Sequence, residues 1–173
     1  MSEAERFRPQ EILRLLVDAG VRFVVIGGLA AQAHGSTSVT RDLDVCYSSD
    51  RDNLDRLAGV LRDILAIRRG LPADAPAMPP LDVLTLHATS LLTLDTMFGP
   101  FDVLANPDPG FDYGTLLPGS EEAEIAGVHV RFAGLDDLMA MKRAAGRPKD
   151  RIELEILGAL REEIDKRGRR PKR

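Results

Sequence analysis

The stretch VVIGGLAAQAHGSTSVTRDLDV, residues 24–45, decides the fold of this 173-residue chain. An apolar run ends at Gly27 and Gly28, a short Ala-rich segment follows, and a Gly/Ser/Thr loop leads to Asp42 and Asp44. Because side chains alternate along a strand, the two carboxylates share one face of the strand predicted over residues 42–47. Two adjacent carboxylates repel each other, and a divalent cation that prefers oxygen ligands, Mg²⁺ above all, relieves that repulsion.

Composition predicts a globular chain with a mostly aliphatic core, since 44% of the residues are apolar, 29% are charged and only 5% are aromatic. The net charge of −4 argues against a protein whose whole surface binds nucleic acid. Cys46 is the only cysteine, which excludes an internal disulfide and a CxxC zinc site. No signal-peptide pattern opens the chain and no apolar run approaches the ~20 residues of a membrane span, so we expect a cytoplasmic protein.

We expect a single domain over residues 1–165 and a disordered tail over residues 166–173, which contain six basic and no acidic residues. Helices are predicted from Pro9 to a cap at Gly20, over 29–34, from a cap at Ser49 with Asp52 through Leu65, over 135–145, and from Pro148 onward. Strands are predicted over 21–26, 42–47, 91–96, 101–104, 124–126 and 128–132, and the Pro-rich segment 70–80 is predicted to be a loop. This interleaving indicates an α/β or α+β fold with a mixed sheet.

The glycine pair alone is ambiguous. It is typical of a tight turn from a strand into a helix, and equally of a backbone that binds phosphate at a helix N-terminus. The chain lacks the GK[ST] of a Walker A loop and the GxGxxG of a dinucleotide-binding fold. The acid pair is the stronger signal, because Leu43, Val45 and Cys46 make its segment look buried, and a buried carboxylate needs a partner. A surface strand with two solvated acids is the alternative.

A third acid, Asp102, interrupts the apolar segment Phe101–Leu104. It is a candidate third metal ligand and general base for an attacking hydroxyl, and an edge-strand acid that points to solvent is the alternative. Asp95 and Asp82 compete for this position, and we favour Asp102.

Basic residues cluster where one predicted helix ends and the next begins, at Lys142, Arg143, Arg147 and Lys149. Cations are typical of helix C-termini, and they are equally suited to contact phosphate or nucleic acid. Lys142 shares a face with Leu138 and is our first candidate for such a contact, with Lys149 second. Asp150 either orients Lys149 or caps the last helix.

Together these elements resemble the DNA polymerase β-like nucleotidyltransferase superfamily, whose pattern is a strand, a glycine turn into a short helix, an acid pair on the next strand and a third acid later. The TRDLD form of the acid motif, the FGPFDVL hairpin and the KRAAGRPKD segment are similar to the small AbiEii/MenT-like branch, whose members often act as toxins. The resemblance covers roughly residues 10–160. It implies a nucleotidyltransferase fold with a mixed, twisted β-sheet flanked by helices.

The resemblance also implies a function: Mg²⁺-dependent transfer of NMP from an NTP to a macromolecular acceptor. The expected acceptor is tRNA or another RNA, and the expected role is the toxin of a toxin–antitoxin system with a cognate antitoxin protein. The implied roles are metal binding by Asp42, Asp44 and Asp102, catalysis by these acids and Lys142, and nucleotide binding by Gly27, Gly28, Ser36, Thr40 and Lys149. Ser36 and Thr40 are equally typical of turn caps. The alternatives are transfer to a small molecule or protein hydroxyl, and a non-catalytic protein that binds nucleotide or a partner.

Overall fold

The computed structural model describes residues 7–71 and 79–168. The strands within these ranges are β1 (Phe23–Ile26), β2 (Leu43–Tyr47), β3 (Ile67–Arg68), β4 (Leu91–Thr96), β5 (Gly99–Leu104), β6 (Glu121–Ile125) and β7 (Val128–Phe132). The helices are α1 (Pro9–Asp18), α2 (Gly27–Ala33), α3 (Arg51–Asp63), α4 (Val83–Ala88), α5 (Tyr113–Leu116), α6 (Leu135–Ala145) and α7 (Pro148–Gly168), with a 3-10 turn at Leu117–Gly119.

The described strands form one mixed, twisted sheet in the order β3-β4-β5-β2-β1-β7-β6. The central strands β1 and β2 are antiparallel, whereas β2 runs parallel to β5 and β1 runs parallel to β7. β4 with β5 and β6 with β7 form antiparallel hairpins. The predicted α/β class and mixed sheet are therefore confirmed.

The core lies around the central strands and is largely aliphatic. All four residues of β1 are buried, which is why this strand reads as a continuous apolar run rather than as an alternating pattern. α1 places Ile12, Leu13 and Leu16 in the core at helical spacing. Tyr47 and Phe101 are the two aromatic residues among the largest fully buried side chains.

Several predicted boundaries differ from the structure. Helix α3 follows Asp50 and begins at Arg51, so the predicted cap at Ser49 is wrong. The Asp52 carboxylate pairs with the guanidinium groups of Arg22 and Arg56 instead of completing a capping box. The same helix ends at Asp63, because Leu65 adopts a left-handed φ of 54° and lies on the surface.

Two predicted segments lie partly outside the described residues. Residues 72–78 of the Pro-rich loop are outside them, and the flanking Pro79 accepts a hydrogen bond at its carbonyl from Arg68. Helix α7 continues through Gly168, so the first three residues of the expected tail are helical and residues 169–173 lie outside the described part. No helix in the described ranges combines the length and the hydropathy needed to cross a membrane.

Candidate active site

Three carboxylates meet at the centre of the sheet. Asp44 on β2 pairs in register with Asp102 on the parallel strand β5, and Asp42 precedes Asp44 by two residues on the same face. Each of the three residues is half-buried, and one carboxylate oxygen from each lies within 4.8 Å of the others. The strand register therefore brings together the three acids that the sequence singled out.

The two competing acids have other partners. Asp82 accepts a hydrogen bond from the backbone N–H of Thr85 and thereby caps α4. Asp95, on β4, pairs with the guanidinium group of Arg69.

The donor set fits a divalent cation that prefers oxygen. It consists of carboxylates alone, the hard oxygen ligands that suit Mg²⁺ rather than zinc. Burial raises the pKa of Asp102; the charge of Arg69 opposes this rise and the charge of Asp42 adds to it. The cluster thus holds negative charge in a partly desolvated place, where a cation would stabilise it.

The glycine pair makes room for these acids. Gly27 has a left-handed φ of 65°, and a Cβ there would overlap Oδ2 of Asp44 and lie 2.8 Å from its Cγ. A Cβ at Gly28 would lie 2.5 Å from Cβ of Thr40. The turn from β1 into α2 therefore lies directly against the loop and strand that carry the acids.

Thr40 and Ser36 lie in this loop but have different contacts. The Thr40 hydroxyl donates to Oδ1 of Asp42 at 2.9 Å, so it orients one of the three acids. The Ser36 hydroxyl accepts from the backbone N–H of Ser38 at 3.2 Å, which matches the turn-capping alternative. Thr40, and not Ser36, is part of the cavity wall described next.

A cavity of about 630 Å³ opens over the acids. The glycine pair, Thr40 and the three acids line it, and α6 contributes Leu138, Met141 and Lys142. Further charged groups in its wall are Arg41, Asp108, Arg147 and Glu153. The cavity thus combines an acidic floor with cationic and apolar groups, a combination that suits a ligand with phosphates and a less polar part.

The predicted basic cluster is organised by a buried acid. Asp150, fully buried, accepts from the backbone N–H and Nε of Arg147, at 3.0 and 2.9 Å, and lies 3.5 Å from Nζ of Lys142. Lys142 also pairs with Glu153. Burial alone would raise the pKa of Asp150, but the hydrogen bonds and charge of Arg147, together with Lys142, lower it. Asp150 therefore caps the start of α7, and the side chain of Lys149 lies outside what the structure describes.

Sequence reasoning missed Arg69, which contacts an acid of the cluster, and Asp108, which lines the cavity. Arg69, directly after β3, donates to Oδ1 of Asp102 at 3.2 Å. Asp108 lies in the turn after β5 and lines the cavity; burial raises its pKa, and the charge of Arg147 opposes the rise. Neither residue belongs to a periodic pattern or a motif, so only the three-dimensional arrangement reveals them.

No protein-family model and no curated protein matches the chain. Several solved structures do match, and two of them illustrate the likeness. The crystal structure of the lincosamide antibiotic adenylyltransferase LnuA, bound to lincomycin, superposes with a TM-score of 0.56 at 16% identity, over 88% of this chain and 95% of that one. The solution structure of the antibiotic-resistance factor ANT(2'')-Ia superposes with a TM-score of 0.53 at 15% identity, over 92% of this chain and 90% of that one.

The chain has the nucleotidyltransferase fold. The neighbours show the fold over 88% and 92% of the chain, as the superfamily resemblance predicts. The nucleotidyltransferase fold places the acid cluster on two adjacent central strands, where the ladder between β2 and β5 fixes the separation of the acids.

Proposed function

We propose that the protein is an Mg²⁺-dependent nucleotidyltransferase that transfers NMP from an NTP to a hydroxyl of an acceptor, with pyrophosphate as the leaving group. The observation that carries this proposal is the cluster of Asp42, Asp44 and Asp102, with oxygens within 4.8 Å of one another, at the floor of a cavity in a nucleotidyltransferase fold. Three acids drawn together in a partly buried place repel one another, and a bound cation relieves that repulsion.

Asp42, Asp44 and Asp102 would hold the metal. When bound, Mg²⁺ supplies charge stabilisation to the attacking and leaving oxygens of an in-line displacement at phosphorus. Asp102 would also accept the proton of the attacking hydroxyl. Lys142 places positive charge inside the cavity for the triphosphate. Gly27, Gly28, Ser36, Thr40 and Lys149 remain our candidates for nucleotide contacts.

For the acceptor we propose tRNA, and for the biological role the toxin of a toxin–antitoxin system. The support is the resemblance of the TRDLD and KRAAGRPKD segments to the AbiEii/MenT-like branch. Arg41 and Arg147 line the cavity and are exposed, so they can meet the phosphates of an acceptor held outside it. A protein with this role acts in the cytoplasm, beside its antitoxin.

A small-molecule acceptor is the second candidate. It is favoured by the two structural neighbours, of which one is a lincosamide adenylyltransferase with lincomycin bound and the other an antibiotic-resistance factor. The cavity volume of about 630 Å³ lies within the range of about 300–1,000 Å³ typical of small-ligand pockets. A protein hydroxyl as acceptor, or a non-catalytic protein that binds nucleotide or a partner, is the remaining alternative.

The deciding experiment incubates the purified protein with each α-labelled NTP, with total cellular RNA, an antibiotic panel or a protein extract, and with or without Mg²⁺. We expect labelled tRNA in the presence of Mg²⁺ and none with Asp44→Ala. An exposed acid at the end of α1 gives the matched control, Asp18→Ala, which should label as the wild type does. Labelled antibiotic or protein would select the second candidate or its alternative. No labelling of any acceptor, or undiminished labelling by Asp44→Ala, would refute the assignment.

A further inference from the structure

Arg69 links the edge of the sheet to the third acid. Its backbone N–H donates to the carbonyl of Thr93 on β4 at 2.9 Å, which fixes its place beside that strand. From there its guanidinium group extends past β4 to the next strand, β5. Nη2 donates to Oδ1 of Asp102 at 3.2 Å and to the carbonyl of Leu94 at 2.6 Å, and Nε donates to Oδ1 of Asp95 at 3.0 Å.

These contacts fix the guanidinium group in one orientation. A planar, forked cation that has three acceptors on two strands cannot rotate without losing at least one of them. The Asp102 side chain is only 14% exposed, so water does little to replace a lost partner. Arg69 therefore holds Oδ1 of Asp102 in place.

We propose that Arg69 is the positioning residue of the metal centre, and that it orients Asp102 toward the oxygens of Asp42 and Asp44 before a cation binds. This inference rests on the proposed function, because it assigns Arg69 to the same acid cluster. Partners that orient a metal-binding carboxylate typically contribute about 10- to 100-fold to metal affinity.

The direction in which metal affinity changes when Arg69 is replaced distinguishes a positioning role from simple charge compensation. A guanidinium group beside a cation site repels the incoming metal, so removal of its charge alone would tighten metal binding. If Arg69 orients Asp102, its removal instead weakens metal binding, because the carboxylate loses its fixed rotamer and turns away from the other two acids. Repulsion and positioning thus act in opposite directions, and a single measurement decides between them.

The test measures the affinity of the full-length protein for Mn²⁺ alone, by electron paramagnetic resonance of the free ion. We expect Arg69→Gln to raise the dissociation constant about 10- to 100-fold. Arg69→Lys keeps the charge but loses the fork, so it should also weaken binding, by a smaller factor. Arg68→Gln is the matched control, because the neighbouring arginine donates to the carbonyl of Pro79 and contacts no acid of the cluster, and its Mn²⁺ affinity should equal that of the wild type.

Thermal melting of each variant shows that the fold is intact, and Arg69→Lys decides the question if Arg69→Gln does not fold. Unchanged or tighter Mn²⁺ binding by a folded Arg69 variant would overturn the proposal. A third outcome is that the wild type binds Mn²⁺, the Arg69 variants bind it more weakly, and the wild type labels no acceptor. This outcome would support the role of Arg69 and refute only the proposed function. A wild type that binds no Mn²⁺ would refute the metal centre and the role of Arg69 together.

Discussion

Substitution of Gly27 by alanine tests whether the glycine turn exists to accommodate the acids. The new Cβ would overlap Oδ2 of Asp44 and lie 2.8 Å from its Cγ, where real contacts are closer to 3.4 Å or more. Relief of this overlap displaces the carboxylate by about 1 Å, a misplacement that can cost about 100-fold in rate. Alanine at the left-handed φ of 65° adds about 1–2 kcal/mol of strain. For a chain of this size, each kcal/mol lowers the melting temperature by about 2–4 °C.

The assay is the rate of Mg²⁺-dependent nucleotide transfer, measured beside Mn²⁺ affinity and melting temperature. Gly59→Ala is the matched control: it lies inside α3, where a Cβ meets nothing within 4 Å. Alanine there should stabilise the helix by about 0.5–1 kcal/mol and leave transfer unchanged. We infer that the Asp44 carboxylate occupies the space that a side chain at position 27 would need. This inference would be refuted if Gly27→Ala transferred nucleotide at a rate within twofold of the wild type and bound Mn²⁺ with unchanged affinity.

Three further predictions concern Thr40, Asp150 and the basic segment 169–173. Thr40→Val keeps the shape of the side chain but removes the hydroxyl that donates to Asp42, and we expect Mn²⁺ affinity to fall about tenfold. Affinity equal to that of the wild type would show that this hydrogen bond does not orient the acid. Asp150→Asn should lose about 1–2 kcal/mol of stability at neutral pH, because a charge-assisted hydrogen bond from Arg147 becomes a neutral one. Since the folded protein lowers the pKa of Asp150, that stability is present above about pH 4, near the unfolded pKa, and is lost as the pH falls through the folded pKa. The melting temperatures of wild type and Asp150→Asn should therefore converge in acid, and a gap that stays constant to pH 2 would contradict this. Removal of residues 169–173, which include four basic residues, should weaken RNA binding and make it less dependent on salt. The slope of log binding constant against log salt concentration should become shallower by about 0.7–0.9 for each phosphate that these residues neutralise in the wild type. An unchanged slope would mean that the tail does not contact RNA.

The long elements and the acid cluster could be predicted from sequence because their signals are local. The run from Phe23 to Ile26, the alternation of Asp42 and Asp44, and the single acid within β5 each carry their own pattern. Strand β3 has only two residues and α5 only four, too few for a period to show. The helix cap predicted at Ser49 was wrong. The prediction relied on Asp52 to complete a capping box, but Asp52 pairs with Arg22, which is distant in sequence.

Part of the site was beyond sequence reasoning for a different reason. The order of the strands is a long-range property, and only that order shows that β5 lies between β2 and β4. Arg69 reaches Asp102 across β4, which lies between β3 and β5, although 33 positions separate the two residues along the chain. Similarly, Lys142 pairs with the buried Asp150 because α6 packs against α7, and a local sequence pattern does not show which helices pack together.

The place of β3 at the rim of the sheet has a thermodynamic consequence. A two-residue outer strand opens more readily than the central strands, so it can detach while β1, β2 and β5 stay paired. Such an opening frees Asp102 from its guanidinium partner without unfolding the domain. Under the proposed role of Arg69, cation affinity and the protection of the Arg69 amide against hydrogen exchange would depend on one local equilibrium. If Arg69 orients Asp102 as proposed, an interaction that stabilises β3 also raises cation affinity, and by reciprocity a bound cation slows hydrogen exchange at the Arg69 amide.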